Sequence, residues 1–325
     1  MVYEILKNHT LRVKSQDGLT AWRRQTDESV AVVTGSFDIL QPGNLAVLQQ
    51  AGMLAKRVVV VVEPDEVVAA HSAPGRPQHG LEIRVELVSF LRYVDVVTSV
   101  TVADANVFFA GLKPFIWVTA RTQKSSEAYS EAISPAAERV VEVTPLEGCF
   151  TEDIIAAIAA NRTPIKVTAM PKAAWPARPL ALQSGLVTVN GCFDILHIGH
   201  LRFLREARAL GDSLTVLINS DASVARYKGA TRPVFPEAFR VAALKALGCV
   251  DEVMVFPGDN PLDEIRQLRP KIHVKGGTYE PERVRAEREL VESWVGRLVC
   301  TSMVEGFSTT DYIRKALGAK GANLL

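Results

Sequence analysis

LVTVNGCFDILHIGHLRFLREARALGDSLTVLINSD, residues 186–221, opens on a short apolar run rich in β-branched residues, LVTVN (186–190). That is the pattern of a strand buried on both faces of a parallel sheet. Leu201, Leu204, Ala207 and Leu210 then recur at helical spacing, and Gly211 is a helix stop. SLTVLIN (213–219) reads as the next strand. Further on, VDEVMVF (250–256), KIHVK (271–275) and RLVCT (297–301) read as strands. PEAFRVAALKAL (236–247), PLDEIRQL (261–268) and residues 309–317 read as helices. Alternation of this kind predicts an α/β fold with a doubly wound, Rossmann-like parallel sheet. Ligands of such sheets bind beyond the carboxyl ends of the strands, where the strand order switches.

The same text occurs earlier in the chain. VAVVTGSFDILQPGNLAVLQQAGMLAKRVVVVVEPD (30–65) aligns with 186–221 at a constant offset of 156 residues. Gly35, Phe37, Asp38, Ile39 and Leu40 match Gly191, Phe193, Asp194, Ile195 and Leu196. The offset holds for Arg76-Pro77 with Arg232-Pro233, for Arg84 with Arg240 and for Val94-Asp95 with Val250-Asp251. It drifts by two residues where EGCFTED (147–153) matches EGFSTTD (305–311). A period this long indicates a duplicated domain, not a solenoid. The expected organisation is two tandem domains, 1–162 and 185–325, joined by a Pro/Ala-rich linker at 163–184 with Pro164, Pro171, Pro176 and Pro179.

The 325 residues are 48% hydrophobic and 22% charged, an ordinary globular composition with room for two domains. The net charge of +1 gives no global reason to seek nucleic acid or an anionic membrane. It hides a split: residues 1–165 carry −4 and residues 166–325 carry +5, so an anion belongs with the second half. No apolar run approaches the ~18 residues of a membrane helix. The N-terminus has no basic-then-apolar signal pattern, so a cytoplasmic location is expected. Cys149, Cys192, Cys249 and Cys300 form no C-x-x-C and are expected as buried or half-buried reduced thiols.

Two of the six histidines stand in His197-Ile198-Gly199-His200, between the first strand and the first helix of the second copy. At spacing three, both imidazoles can share one side of the first helical turn. Gly199 admits a ligand close to the backbone. The helix N-terminus adds unpaired N–H groups and the positive end of the dipole. This is a phosphate site with two side chains able to donate to charge developing on a phosphoryl group.

NGCFDILHIGH resembles the G-x-F-D-x-x-H-x-G-H signature of the cytidylyltransferase-like nucleotidyltransferases. Ile195-Leu196 is similar to the sugar-phosphate and alcohol-phosphate branch of that family. The resemblance runs from Leu186 to Leu317. It implies that Lys228, in NSDASVARYKGATRPV (219–234), reaches the phosphates and that Arg232 reinforces it. EGFSTTDYIRKAL (305–317) resembles the closing motif of the family, whose Ser308, Thr309 and Thr310 would cap the last helix and meet the nucleotide phosphates. Within the branch, the combination of these motifs with VKGG-x-Y-x-PE (274–282) is most similar to the adenylyltransferase domain of bacterial ADP-heptose synthases, although that family usually has Asp at the position of Thr278.

The resemblance implies catalysis by His197, His200 and Lys228. It implies nucleotide binding by Gly191, Phe193, Asp194, Gly199, Arg232, Lys275, Gly276, Ser308, Thr309 and Thr310. Asp194 could orient a histidine or an N–H group, or simply shape a turn. No residue is assigned to a metal; Mg²⁺ would arrive with ATP and bridge triphosphate oxygens. The implied reaction joins a nucleoside monophosphate to a sugar 1-phosphate, D-glycero-D-manno-heptose 1-phosphate, with release of pyrophosphate. Alternatives are a cytidylyltransferase for glycerol 3-phosphate or phosphoethanolamine, and a non-catalytic nucleotide sensor. The partners are then the triphosphate and a phosphorylated sugar or alcohol, with no nucleic acid and no membrane span.

In the first copy Gln41, Gly43 and Asn44 stand at the positions of His197, Gly199 and His200, and Ser72 at that of Lys228. Thr119-Ala120-Arg121 stand at Lys275-Gly276-Gly277, and Phe150-Thr151-Glu152 at Ser308-Thr309-Thr310. A carboxylate there would repel triphosphate. The first copy therefore reads as degenerate, expected to act as a built-in partner by intrachain pairing or within a homodimer. His71 and His79 are expected in a solvated loop of this copy.

Overall fold

The computed structural model describes residues 12–72, 74–120, 127–144, 151–160, 163, 185–277, 281–301, 307, 309 and 313. The chain divides into two compact units, one around each copy of the repeat. The expected linker lies outside the described residues except for Thr163.

In the first unit, β1 (Val30–Gly35), β2 (Arg57–Val62), β3 (Val96–Thr98), β4 (Ile116–Ala120) and β5 (Arg139–Val143) form one sheet in the order β3-β2-β1-β4-β5. In the second, β6 (Leu186–Gly191), β7 (Ser213–Asn219), β8 (Glu252–Phe256), β9 (Ile272–Gly276) and β10 (Arg297–Thr301) form the order β10-β9-β6-β7-β8. All the pairings between these strands are parallel. The two orders are the same path, and the register repeats with it. Val30 faces Arg57 as Leu186 faces Ser213, and Ala31 faces Ile116 as Val187 faces Ile272. The repeat of 156 residues is thus a repeat of hydrogen-bonding register.

The central strands are apolar because both faces are covered: every residue of VAVVTG (30–35) is buried, as are LVTV (186–189). Strand order switches between β6, β7 and β9. The helix after β6, Ile198–Arg208, covers one face, and Phe203 on it lies against Gly276, where an added Cβ would meet the ring at 3.0 Å. The helix after β9, Arg285–Glu292, covers the other face, and its Val291 joins Leu186, Leu217 and Phe256 in one apolar cluster. The carboxyl ends of β6 and β9 therefore open onto a crevice between diverging crossovers.

Helix Arg285–Glu292 and helix Asp221–Lys228 were not expected from the sequence. The first is short and mostly charged, with its apolar side limited to Leu290 and Val291 against the core; the second buries only Ser223 and Val224 and shows no clear apolar stripe. Helix Asp221–Lys228 is defined by its ends instead. Ser220 accepts from the Ser223 backbone N–H at 3.2 Å, and Gly229 terminates it at φ +94°.

Two expectations need correction. His79 is buried, not solvated, because its backbone N–H donates to the buried Asp38 at 3.0 Å; His71 ends helix Asp65–His71, and its Nδ1 bonds the Val67 carbonyl oxygen. Cys300 is exposed, because β10 is an edge strand; Cys192 and Cys249 are half-buried free thiols, and Cys149 lies outside the described residues. Among the described residues no helix is long and apolar enough to cross a membrane.

Candidate active site

The turn leaving β6 is built around Phe193. Its backbone adopts φ +46°, a left-handed conformation that costs a bulky residue about 1–3 kcal/mol. The ring is buried, and a Cβ on Gly191 would lie 3.1 Å from it, so Gly191 is what lets the ring fold back. Phe193 reaches His200, with ring centroids 5.2 Å apart.

A buried carboxylate and a buried guanidinium hold this turn. Asp194 accepts from Arg232 Nε at 2.7 Å and from the backbone N–H groups of Val234 at 2.8 Å and Phe235 at 3.0 Å. It bonds neither histidine in these contacts. Asp194 clamps the 232–235 loop to the signature turn, and Arg232 spends its Nε on that clamp rather than standing clear for phosphate. Arg240, absent from the expected site, donates through Nη1 to the Cys192 carbonyl at 2.7 Å and through Nε to the Phe235 carbonyl at 3.1 Å. Its Nη2 donates to the Asn219 carbonyl at 2.9 Å and to Asp221 Oδ1 at 2.8 Å. The match of Arg84 with Arg240 across the repeat was the sequence signal for this bracket.

His197 caps helix Ile198–Arg208. Its Nδ1 accepts the backbone N–H of His200 at 3.4 Å, which leaves Nε2 to carry the proton of a neutral ring. The two imidazoles are stacked, with centroids 3.7 Å apart and planes at 22°. Gly199 is needed here too: a Cβ would lie 3.1 Å from His197 Nδ1 and 3.3 Å from the Phe307 Cβ. That second contact brings the closing motif beside the histidine turn. Thr309 is helical; Ser308, Thr310 and Thr278 lie outside the described residues.

Burial lowers the His200 pKa well below its ordinary value, and the neighbouring His197 lowers it further. The Ile195 backbone opposes this, yet Nδ1 is buried and has no hydrogen-bonding partner of normal geometry. Lys228 adds a smaller push in the same direction, which places its charge within reach of His200. Lys228 itself is exposed at the end of helix Asp221–Lys228, with its ammonium 5.7 Å from the Tyr227 ring centre. His200 is thus neutral in a solvent-poor turn, with the exposed Lys228 ammonium beside it.

Lys275 is not a free cation. Its Nζ donates to Asn190 Oδ1 at 2.9 Å and to Glu287 Oε1 at 2.8 Å. Neither Asn190 nor Glu287 was expected at the site. Among the described residues no group of three or more His, Cys, Asp or Glu side chains could hold a metal ion.

The first unit keeps the supports and replaces the histidines. Phe37 has φ +49°. Asp38 accepts from Arg76 Nε and from the backbone N–H groups of Gln78 at 2.8 Å and His79 at 3.0 Å. Arg84 donates through Nη1 to the Ser36 carbonyl at 2.7 Å and through Nε to the His79 carbonyl at 2.9 Å. At the helix start, however, Gln41 Oε1 accepts from Gly43 N–H at 2.9 Å and Asn44 Oδ1 from Gln41 N–H at 3.3 Å. This reciprocal cap uses up groups that a phosphate would need.

Part of the chain is similar to known proteins. It is 53% identical to the bifunctional protein HldE of Geotalea uraniireducens over 130 residues, 40% of this chain and 26% of that protein. It is 50% identical to the bifunctional protein HldE of Syntrophotalea carbinolica over 132 residues, 41% of this chain and 27% of that protein. The chain spans about a quarter of the length of these curated relatives. Among solved structures, the lipopolysaccharide core biosynthesis protein from Thermoplasma volcanium is 27% identical, with a TM-score of 0.33 over 37% of this chain and 98% of that one. The family model for cytidylyltransferase-like proteins matches residues 32–172 and again 188–315. Through both copies of its repeat, the chain belongs to the cytidylyltransferase-like family.

Proposed function

We propose that the second copy, residues 185–325, is a nucleotidyltransferase that moves AMP from ATP to a sugar 1-phosphate, D-glycero-D-manno-heptose 1-phosphate, and releases pyrophosphate. The observation that carries this reading is the stacked pair His197 and His200 at a helix N-terminus, present in one copy and replaced by a self-capped Gln41/Asn44 in the other. The similarity to bifunctional HldE proteins supports the choice of nucleotide and acceptor. In this reading residues 1–162 are a copy without transfer activity, and residues 163–184 join the two.

An acceptor phosphate is already ionised at neutral pH, so the attacking oxygen needs no strong base. Catalysis then rests on positioning and on stabilising charge in the transition state. His197 and His200 donate N–H bonds to phosphoryl oxygens as charge builds there. Lys228, at the end of its helix, closes on the phosphates as a cation. Asp194 and Arg240 keep the turn in register and touch no substrate. Mg²⁺ bound to the triphosphate would supply charge neutralisation there.

Pyrophosphate release tests the reading. ATP, CTP, UTP and GTP are each paired with heptose, hexose, glycerol and ethanolamine phosphates. Release with ATP and the heptose phosphate is expected, and His200→Ala should lower it by ~100-fold or more. Release only with CTP and an alcohol phosphate would move the chain to cytidylyl transfer. Binding of nucleotide without release from any pair would make it a sensor.

A further inference from the structure

The nucleotidyl-transfer reading leaves one side of the β6/β9 crevice unassigned. Histidines, helix N-terminus and Lys228 lie on the side of helix Ile198–Arg208. On the opposite face, under helix Arg285–Glu292, stand Asn190, Lys275 and Glu287. Side chains alternate along a strand, so Thr188 and Asn190 share this face of β6 while His273 and Lys275 share it on β9. Leu186 and Val291 meet farther down the same face. Asn190 is the last residue of this row, immediately before Gly191 at the carboxyl end of β6.

We propose that the Asn190 side-chain amide is a substrate-binding donor, held in its working orientation by Lys275 and Glu287. An ammonium has donors only, so the atom of Asn190 that faces Lys275 Nζ at 2.9 Å must be the oxygen Oδ1. The Nδ2 group is thereby turned away from Lys275, and among the described residues it makes no hydrogen bond. Glu287 pairs with Lys275 at 2.8 Å, and both side chains are only about a tenth exposed, which keeps the ammonium from swinging off the amide. The ion pair cancels its own charge. What remains at the strand end is a neutral, half-buried N–H₂ group at the switch point, suited to an oxygen acceptor: a phosphate oxygen or a hydroxyl of a sugar or ribose. At the matching position the first copy has Thr34, whose Oγ1 accepts from Trp117 Nε1 at 3.4 Å, and Thr119 in place of Lys275. The copy without the histidines therefore also lacks the oriented amide.

The inference rests on the nucleotidyl-transfer reading, and the test separates the two. Asn190→Asp is isosteric and keeps a partner for Lys275, but it replaces the donor with an acceptor. Binding of ATP and of heptose 1-phosphate is measured separately by calorimetry, beside KM and kcat from pyrophosphate release. The Kd and KM of one of the two ligands should rise roughly 10–100-fold, the cost of losing a hydrogen bond and facing lone pairs, with a smaller change in kcat. Which ligand weakens identifies whether the oxygen belongs to nucleotide or acceptor. Asn190→Thr, which places at this strand end the residue the first copy carries there, should show the same selective loss and guards against misfolding of the aspartate variant. Lys275→Met should raise the same KM, and Lys275→Arg should restore part of it; a purely structural lysine would shift stability without selecting one ligand. Wild-type affinities within twofold for both ligands in both Asn190 variants would overturn the assignment while leaving the transferase reading intact. A wild-type chain that binds and converts none of the pairs would overturn both.

Discussion

His273 makes the stability of the second unit pH-dependent in a way that can be calculated. It sits fully buried in the middle of β9, with Nδ1 2.8 Å from Thr188 Oγ1 on the neighbouring β6 and with Nε2 lacking a hydrogen-bond partner among the described residues. Burial first, and the charge of Lys275 second, push its pKa down to about 3. In the unfolded chain a histidine titrates near 6.5. As the pH falls from about 6.5, the unfolded chain takes a proton that the folded chain refuses until about 3. The contribution is therefore complete above the unfolded value and is lost as the pH falls through this window, at ~1.4 kcal/mol per unit. Two units down, at pH 4.5, the loss from this one group is roughly 2–3 kcal/mol, a large share of a typical domain stability. The perturbation is His273→Gln, which removes the titration and keeps a polar partner for Thr188. Urea denaturation of both proteins at pH 7.0 and 4.5 gives a double difference from which the other titrating groups cancel. The wild type should lose about 2–3 kcal/mol more than the variant on acidification. Equal losses would refute the reasoning, as would a nuclear magnetic resonance titration showing His273 protonating near pH 6 in the folded chain. Lys275→Met should raise the His273 pKa, since it removes the second cause.

Asp194→Ala strands the mostly buried Arg232 guanidinium and two buried backbone N–H groups, so it should cost about 3–5 kcal/mol in denaturant unfolding and abolish pyrophosphate release through collapse of the turn. Asp38→Ala strands the same set in the first copy and should cost a similar amount, but pyrophosphate release per folded molecule should remain within twofold; a selective loss there would assign that copy a catalytic part. Asn44→Ala removes half of the reciprocal helix cap, worth ~1 kcal/mol, and should leave turnover unchanged in the pyrophosphate assay.

The strands were legible because a parallel sheet demands them: RVVVVV (57–62) and LVTV (186–189) can be buried only in the middle of two layers. The histidine turn was legible for a similar reason, since H-x-G-H concentrates rare residues at one local geometry. What escaped were residues whose role depends on partners far away in sequence. Arg240 acts through carbonyl groups 48 and 21 positions away, and Lys275 through Asn190 at 85. No local pattern marks such pairs. A buried arginine in PEAFRVAALKAL looks like a surface charge, and a lysine in VKGG looks like a phosphate ligand until the sheet register places it against Glu287. Helix Arg285–Glu292 escaped for another reason: its apolar side, Leu290 and Val291 against the core, spans only eight mostly charged residues, about two turns.

The duplication separates two kinds of residue that a single copy would leave entangled. Asp194, Arg232, Arg240 and Phe193 all lie beside the histidines, and in one domain each could be given a catalytic task. In the first copy the histidines are gone, yet Phe37 keeps its left-handed backbone and Arg84 keeps its bond to the carbonyl before it, at 2.7 Å in both copies. A backbone conformation that costs about 1–3 kcal/mol persists only where the surroundings enforce it. Here those surroundings are the buried aspartate and arginine, which serve the same turn whether or not phosphate is handled beyond it. They are explained by folding. Asn190, Lys275, His197, His200 and Lys228 have no such explanation, because the first copy closes the same sheet with Thr34, Thr119, Gln41, Asn44 and Ser72. Chemistry is therefore to be sought in that second set, on both sides of the β6/β9 crevice.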